Sequence, residues 1–191
     1  LWAFGLQSDG GTDVDTRHNS PLLLRRSTRG WETMDSTRFG RIRWGSEACE
    51  GVDEVCELRA LWVDLEGRAR MFHRGRGIFV HDGVQSWVEE SPVPESARIL
   101  KVDAAPDGTV YAVSGGEELH SGPVHLWVHD GIGWRSTLLA PDEFGVVGVS
   151  AFNGGAIIVA SAFHGEWRAQ EGLVIRAWPD ASTELVRAIP L

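Results

Sequence analysis

Tyrosine, cysteine and basic charge are all scarce in this chain, and each scarcity excludes something. One Tyr stands against 9 Trp, so the aromatic content is almost entirely indole and phenyl. Two Cys in 191 residues, with no Cys-x-x-Cys and no nearby His cluster, do not form a zinc-binding pattern. The formal net charge of −9 argues against a nucleic-acid-binding surface, which needs a basic footprint. No apolar run approaches the roughly 20 residues that span a bilayer as a helix. No secretory signal is visible, and the chain opens on Leu1-Trp2-Ala3-Phe4-Gly5, which reads as the middle of a strand. No segment combines a helical apolar period with capping residues, so the chain reads as all-β.

What is present is glycine and tryptophan in a repeating order. There are 23 Gly, and hydrophobic content of 42% with 24% charge is ordinary for a folded soluble protein. The clearest unit runs from Arg98 to Leu139 as four short strands joined by tight turns. Phe79 to Trp87 (FVHDGVQSW) matches Trp127 to Trp134 (WVHDGIGW). Asp-Gly between two strand-like runs is a hairpin signal, because Gly tolerates the positive φ such turns need. Gly67, Gly108 and Gly155 recur between first and second strands. Trp31, Trp87 and Trp134 recur near the start of each fourth strand, with Leu185 at the last copy. A period of about 40 to 50 residues in fixed order points to propeller blades. The segments AIIVASA and LVIRAW read as strands buried on both faces, as sheets packed between two neighbours would be.

The expected organisation is a β-propeller portion of four-stranded antiparallel blades. Residues 1–34 form a partial blade lacking its first strand, and 35–56 a connector holding both cysteines. Residues 57–97, 98–145 and 146–191 form three further blades. Such a chain is expected to be part of a larger propeller, of about six to eight blades, or to be closed by another polypeptide, since open sheet edges are avoided.

At LRALWVD, TVYAV and LWVHDGIGW the sequence resembles the Trp-rich propeller repeats of bacterial envelope and secreted proteins. The segment VDAAPDGTVYAV is similar to NHL-type propeller repeats. The resemblance covers nearly the whole chain outside 35–56, and it implies a fold more than an activity: such repeats serve mostly as binding or scaffold modules. Enzyme propellers fit less well. Ser8-Asp9-Gly10-Gly11-Thr12 shares letters with the Asp-box of sialidase-like propellers at the wrong spacing, and the Gly-His and Trp-Asp pairs of WD40 blades are absent.

Topology adds a working face. The loops expected to be long, Gln7–Ser20, Asp35–Cys56, Gly115–Pro123 and Phe163–Gly172, all fall at one end of the blades. The turns between first and second, and third and fourth, strands are tight. Loops on a rigid scaffold are where binding residues concentrate. Trp44, Glu117, Glu118, His120, His164 and Trp167 sit in these loops and do not repeat, so they are the candidate ligand-binding residues. Aromatic rings beside acids suit a glycan or peptide platform. Glu117 with Glu118, or Glu166, offers the paired carboxylates of a glycan-processing enzyme, the alternative reading.

Asp9, Asp13 and Asp15 carry the hard oxygen ligands that Ca²⁺ prefers, without EF-hand spacing; no other cofactor is expected. His81 and His129 recur before each Asp-Gly and are expected to serve the turns. The recurrent Trp residues are expected to be buried between sheets. The arginines at 25, 26, 29, 38, 41 and 43 read as a solvated face or as a contact surface for an acidic partner. Cys49 and Cys56 are expected to form a disulfide, worth about 2–3 kcal/mol on the chain-entropy model. That bond implies a periplasmic, cell-surface or secreted protein; two free thiols in the cytosol are the alternative. The expected role is a non-catalytic recognition or assembly module for a protein or glycan.

Overall fold

The computed structural model describes residues 1–8, 18–34, 42–43, 58–73, 77–94, 98–115, 123–140, 144–163 and 169–190. Among them every regular element is a strand and no helix occurs. The chain divides into two compact units, Leu1–Glu90 and Ser91–Leu191. Each unit contains two four-stranded antiparallel sheets.

In the first unit, β1 (Trp2–Ser8), β2 (His18–Ser27) and β3 (Gly30–Met34) lie in chain order. The β1–β2 pairing continues through Gln7↔Ser20 and Ser8↔Asn19, so the loop expected from Gln7 is shorter than its polar sequence suggests. Backbone groups keep pairing where the side chains turn polar. A short β4 (Ile42–Arg43) pairs with His18 and Asn19 of β2. The stretch read as an irregular connector thus contributes a strand to this sheet.

The second sheet is an uninterrupted meander of β5 (Leu58–Val63), β6 (Ala69–His73), β7 (Gly77–His81) and β8 (Ser86–Glu89). The two sheets pack face to face: Trp2 and Leu23 from the first meet Ala69, Met71 and Phe79 from the second. Every residue of β7 is buried, which matches its run of Ile, Phe and Val.

The second unit repeats the plan. Its first sheet is β9 (Arg98–Ala104), β10 (Val110–Gly115), β11 (Val124–His129) and β12 (Trp134–Ala140). Its second is β13 (Phe144–Phe152), β14 (Gly155–Phe163), β15 (Ala169–Ala177) and β16 (Thr183–Pro190). In β11 the apolar residues Val124, Leu126 and Val128 are buried while His125, Trp127 and His129 are half-buried. That is the two-residue period of a strand with one face in the core. These three join Tyr111 and Val113 from β10 against Ala156, Ile158, Ala160 and Ile175 of the facing sheet. Asp103 adds a polar link, its Oδ2 accepting the Ala151 N–H at 2.8 Å.

The last sheet departs from expectation. Ile158, Ala160 and Ile175 enter the core, but Val159 is 42% exposed and Val174 only half-buried. β14 and β15 are therefore not buried on both faces within this chain. β16 is exposed along its whole length, as an edge strand with one hydrogen-bonded neighbour is.

Meander order fixes which connections share an end. In the three complete meanders, the turns joining first to second and third to fourth strands lie at one end. The facing ends of β6 and β7, β10 and β11, and β14 and β15 lie at the other, and residues 74–76, 116–122 and 164–168 between them fall outside the described residues.

Candidate functional site

The tight-turn end is held by aspartates. Three turns share one backbone pattern: Asp64 to Arg68, Ala105 to Thr109 and Trp178 to Ser182. In each, the first residue's N–H donates to the fifth carbonyl and the fourth N–H donates to the first carbonyl. The fourth position has positive φ: 78° at Gly67, 88° at Gly108 and 66° at Ala181. The last two turns also share a sequence, Pro106-Asp107-Gly108-Thr109 against Pro179-Asp180-Ala181-Ser182. Asp107 Oδ1 accepts the Thr109 N–H at 2.9 Å, and Asp180 Oδ1 accepts the Ser182 N–H at 3.0 Å. Ala181 occupies a backbone region that costs any residue with a Cβ, and it is the non-glycine exception among the described residues.

The two Asp-Gly hairpins behave as expected. Asp82 Oδ1 accepts the N–H groups of Val84 and Gln85 at 2.8 and 2.9 Å. Asp130 Oδ1 does the same for Ile132 and Gly133 at 3.0 and 3.2 Å. These backbone donors hold both carboxyls below the usual carboxylate range. His81 and His129 serve the same turns: each Nδ1 accepts the glycine N–H two residues on, at 2.8 Å for Gly83 and 3.2 Å for Gly131. At Gly83 the backbone is also approached closely, since a Cβ there would fall 2.0 Å from an Arg25 guanidinium nitrogen.

The recurrent tryptophans are not buried. Trp31 is 45% exposed, and Trp87 and Trp134 are half-buried. They stand on outer strands of their sheets, Trp31 on β3, Trp87 on β8 and Trp134 on β12, beside cations or an imidazole. Arg26 lies 5.8 Å from the Trp31 ring and Arg68 6.0 Å from the Trp87 ring. His129 lies 5.1 Å from Trp134. Among the described residues the buried tryptophans are others, Trp2 and Trp62, at 8% and 5% exposure.

One ion network accompanies them in the first unit. Arg70 is paired with Asp64 at 2.8 Å and with Glu89, and Arg68 with Asp64 at 2.7 Å. Trp87 Nε1–H donates to Glu89 Oε1 at 3.3 Å. Burial alone would push the Asp64 and Glu89 carboxyls up, but the arginine hydrogen bonds outweigh it and hold both below their ordinary values. The Arg70 guanidinium is held more basic by the same contacts, against its burial. A network neutralised by its own cations is a structural tie.

Tyr111 is different. The residue is fully buried, and its hydroxyl has no hydrogen-bond partner. Burial, reinforced by the Asp107 and Asp180 carboxylates, pushes the phenol up to about 12. Sequence reading passed over these three residues, although the matching Pro-Asp turns were a signal that two equivalent aspartates exist.

At the opposite end of the β9–β12 sheet, Trp127 Nε1–H donates to the buried Ser114 Oγ at 2.8 Å. His125 lies 6.2 Å from the Trp127 ring. These groups flank the connection that carries Glu117, Glu118 and His120. The candidate ligand residues Trp44, Glu117, Glu118, His120, His164 and Trp167 themselves lie outside the described residues. So do Glu166, Asp9, Asp13 and Asp15, and the cysteines Cys49 and Cys56. Among the described residues, no group of three or more His, Cys, Asp or Glu is placed to hold a metal ion, and no helix is long and apolar enough to cross a membrane.

No protein-family model matches the chain, and no curated protein does. Among solved structures, the chain is similar to the crystal structure of a protein of unknown function from Bacteroides caccae. The identity is 12% and the TM-score 0.47, over 98% of this chain and 57% of that one. The chain thus spans a little over half the length of that protein.

Proposed function

We propose that the four sheets are blades of a β-propeller of the Trp-rich repeat kind, and that the chain is a non-catalytic recognition or assembly module. Its ligand, a protein or a glycan, meets the end of the sheets that carries the long connections. What supports this reading is the division of labour between the two ends. At the turn end, aspartate and histidine acceptors are engaged by the turns' own N–H groups, and the connections are too short to build a site. At the other end are the longer connections of the second unit, 116–122 and 164–168, and Ser114, His125 and Trp127 stand on the strands that flank the first of them.

In this proposal the Cys49–Cys56 disulfide stiffens the connector, and the protein works in the periplasm, at the cell surface or in secretion. Further blades or another polypeptide complete the ring.

The test is binding on a glycan microarray, with native assembly mass as the arm for a protein ligand. Alanine variants at Trp44, Glu117, His120, His164 and Trp167 should lose binding. Variants Leu65→Ala, Val84→Ala and Ile132→Ala should not. Those three turn tips are 74%, 88% and 92% exposed, so their truncation leaves folding intact. Loss of binding in the tip variants alone, or new reducing ends from a glycan substrate, would overturn the reading.

A further inference from the structure

We propose that the chain associates with itself head to tail: the open face of the β13–β16 sheet of one copy packs on the open face of the β1–β4 sheet of another. The inference rests on the sheet-on-sheet packing inside each unit, and it names the polypeptide that the assembly reading above leaves unspecified.

Each unit shows what such a joint is made of. The earlier sheet turns one face to its successor, through Leu23 in the first unit and Leu126 in the second. Each leucine is paired with the residue two places beyond a buried aromatic, Phe4 beyond Trp2 and Val113 beyond Tyr111. The later sheet receives that face on a cross-strand apolar pair, Met71↔Phe79 in the first unit and Ile158↔Ile175 in the second.

Both kinds of face recur unfilled. In the β13–β16 sheet, Ile158 and Ile175 meet the sheet before, and the alternate residues Ile157, Val159 and Val174 lie on the reverse side. Val159 stands opposite Val174 there, as Val113 stands opposite Leu126. Val159 is 42% exposed, and Ile189, opposite Gly172 on the same side, is 41% exposed. In the β1–β4 sheet, Trp2 and Leu23 meet the sheet after. Ala3 and Leu24 stand opposite each other on the reverse side, as Met71 and Phe79 do. Ala3, Leu22 and Leu24 are half-buried, and Trp31, opposite Arg26 on that side, is exposed.

An apolar sheet face is stabilised by burial against a second layer. These two faces are the two halves of a joint the chain already forms twice, and a second copy carries both. Arg176, Glu184 and Arg187 border the β13–β16 patch, Arg176 directly opposite Glu184, which gives the apolar centre a charged rim of both signs. The joint unites unlike faces and is therefore heterologous.

The test is the mass of the 191-residue chain by light scattering and sedimentation, from dilute to concentrated solution. The expected mass is at least twice the 21.0 kDa of one copy. Val159→Asp and Trp31→Glu should each return the chain to one copy, because each spoils one half of the joint in every molecule. Mixed in equal amounts, the two variants should recover a two-copy species through the faces each leaves intact. Both positions are open, so both variants should keep the parent's thermal midpoint; Ile189→Asp or Leu22→Gln replaces one that does not. Ile132→Ala, at a turn tip, should associate as the parent does. A parent that stays at one copy throughout would overturn the proposal and leave the faces to further sheets or to another protein. Association lost in one variant and kept in the other would show like faces pairing and overturn it too, as would no recovery on mixing. Ligand binding is read on the loop variants, so the two readings fail separately.

Discussion

Trp2 Nε1–H donates to the carbonyl of Gly67 at 2.9 Å, across 65 residues of sequence. The indole thereby fastens the first strand of one sheet to the β5–β6 turn of the sheet packed on it. His81 lies 5.6 Å from its ring, and the Arg25 guanidinium also lies 5.6 Å from it. Trp2→Phe keeps an aromatic ring in the core and removes the donor, so it should cost about 1 kcal/mol. Trp2→Ala should cost about 3–5 kcal/mol through the cavity it leaves. Urea denaturation of the two variants measures the difference.

Asp103 does for the second unit what Trp2 does for the first. Asp103→Ala leaves the Ala151 N–H without its acceptor and should cost about 1–3 kcal/mol. Asp103→Asn retains an acceptor oxygen and should cost less. Amide exchange at Ala151 should accelerate in the alanine variant and change little in the asparagine one.

The paired turns give an internal comparison. Gly108→Ala forces a Cβ into the φ of 88° that Gly108 adopts and should destabilise by about 1 kcal/mol. Ala181→Gly removes the same strain at φ 66°, but it raises the entropy of the unfolded chain and loses a methyl that is 4% exposed. The opposing effects should leave its midpoint within about 0.5 kcal/mol of the parent. Chemical denaturation tests both.

Acid should weaken the first unit through Asp64 and Glu89. Both carboxyls are held below their ordinary values in the fold, so the unfolded chain takes up protons first. Their contribution is complete above the ordinary values of 3.8 and 4.5 and is lost as pH falls through the lowered ones. Glu89→Gln should cost on the order of 1 kcal/mol at neutral pH, a modest figure because water screens a carboxylate that is 36% exposed. It should also flatten the fall in stability below about pH 4. Unfolding curves for parent and variant between pH 2 and 7 give both quantities.

The strands were legible as short apolar runs set in a fixed order of Gly, Asp-Gly and Trp; the one-faced alternation of Val124, Leu126 and Val128 in β11 was not read from them. The turns were legible from Asp-Gly, where the physics is local. Burial of the tryptophans was not. Trp31, Trp87 and Trp134 repeat as faithfully as core residues would, yet their place on the outer strand decides their exposure, and strand position within a sheet is a tertiary fact. Tyr111 was overlooked for the same reason. The two carboxylates that act on its phenol come from turns about seventy residues apart, and a lone tyrosine in a buried strand reads as packing. The candidate ligand residues came from loop position alone, with no periodicity to anchor them.

The most direct measurement is a crystal structure of the native protein at side-chain resolution. A propeller requires the four sheets to stand around one axis, with β5, β9 and β13 as innermost strands and the connections holding Glu117, His164 and Trp44 gathered at one end. Finding that arrangement would establish the blades and the shared loop face on which recognition depends. Two separate face-to-face sandwiches without a common axis, their long connections pointing apart, would contradict it.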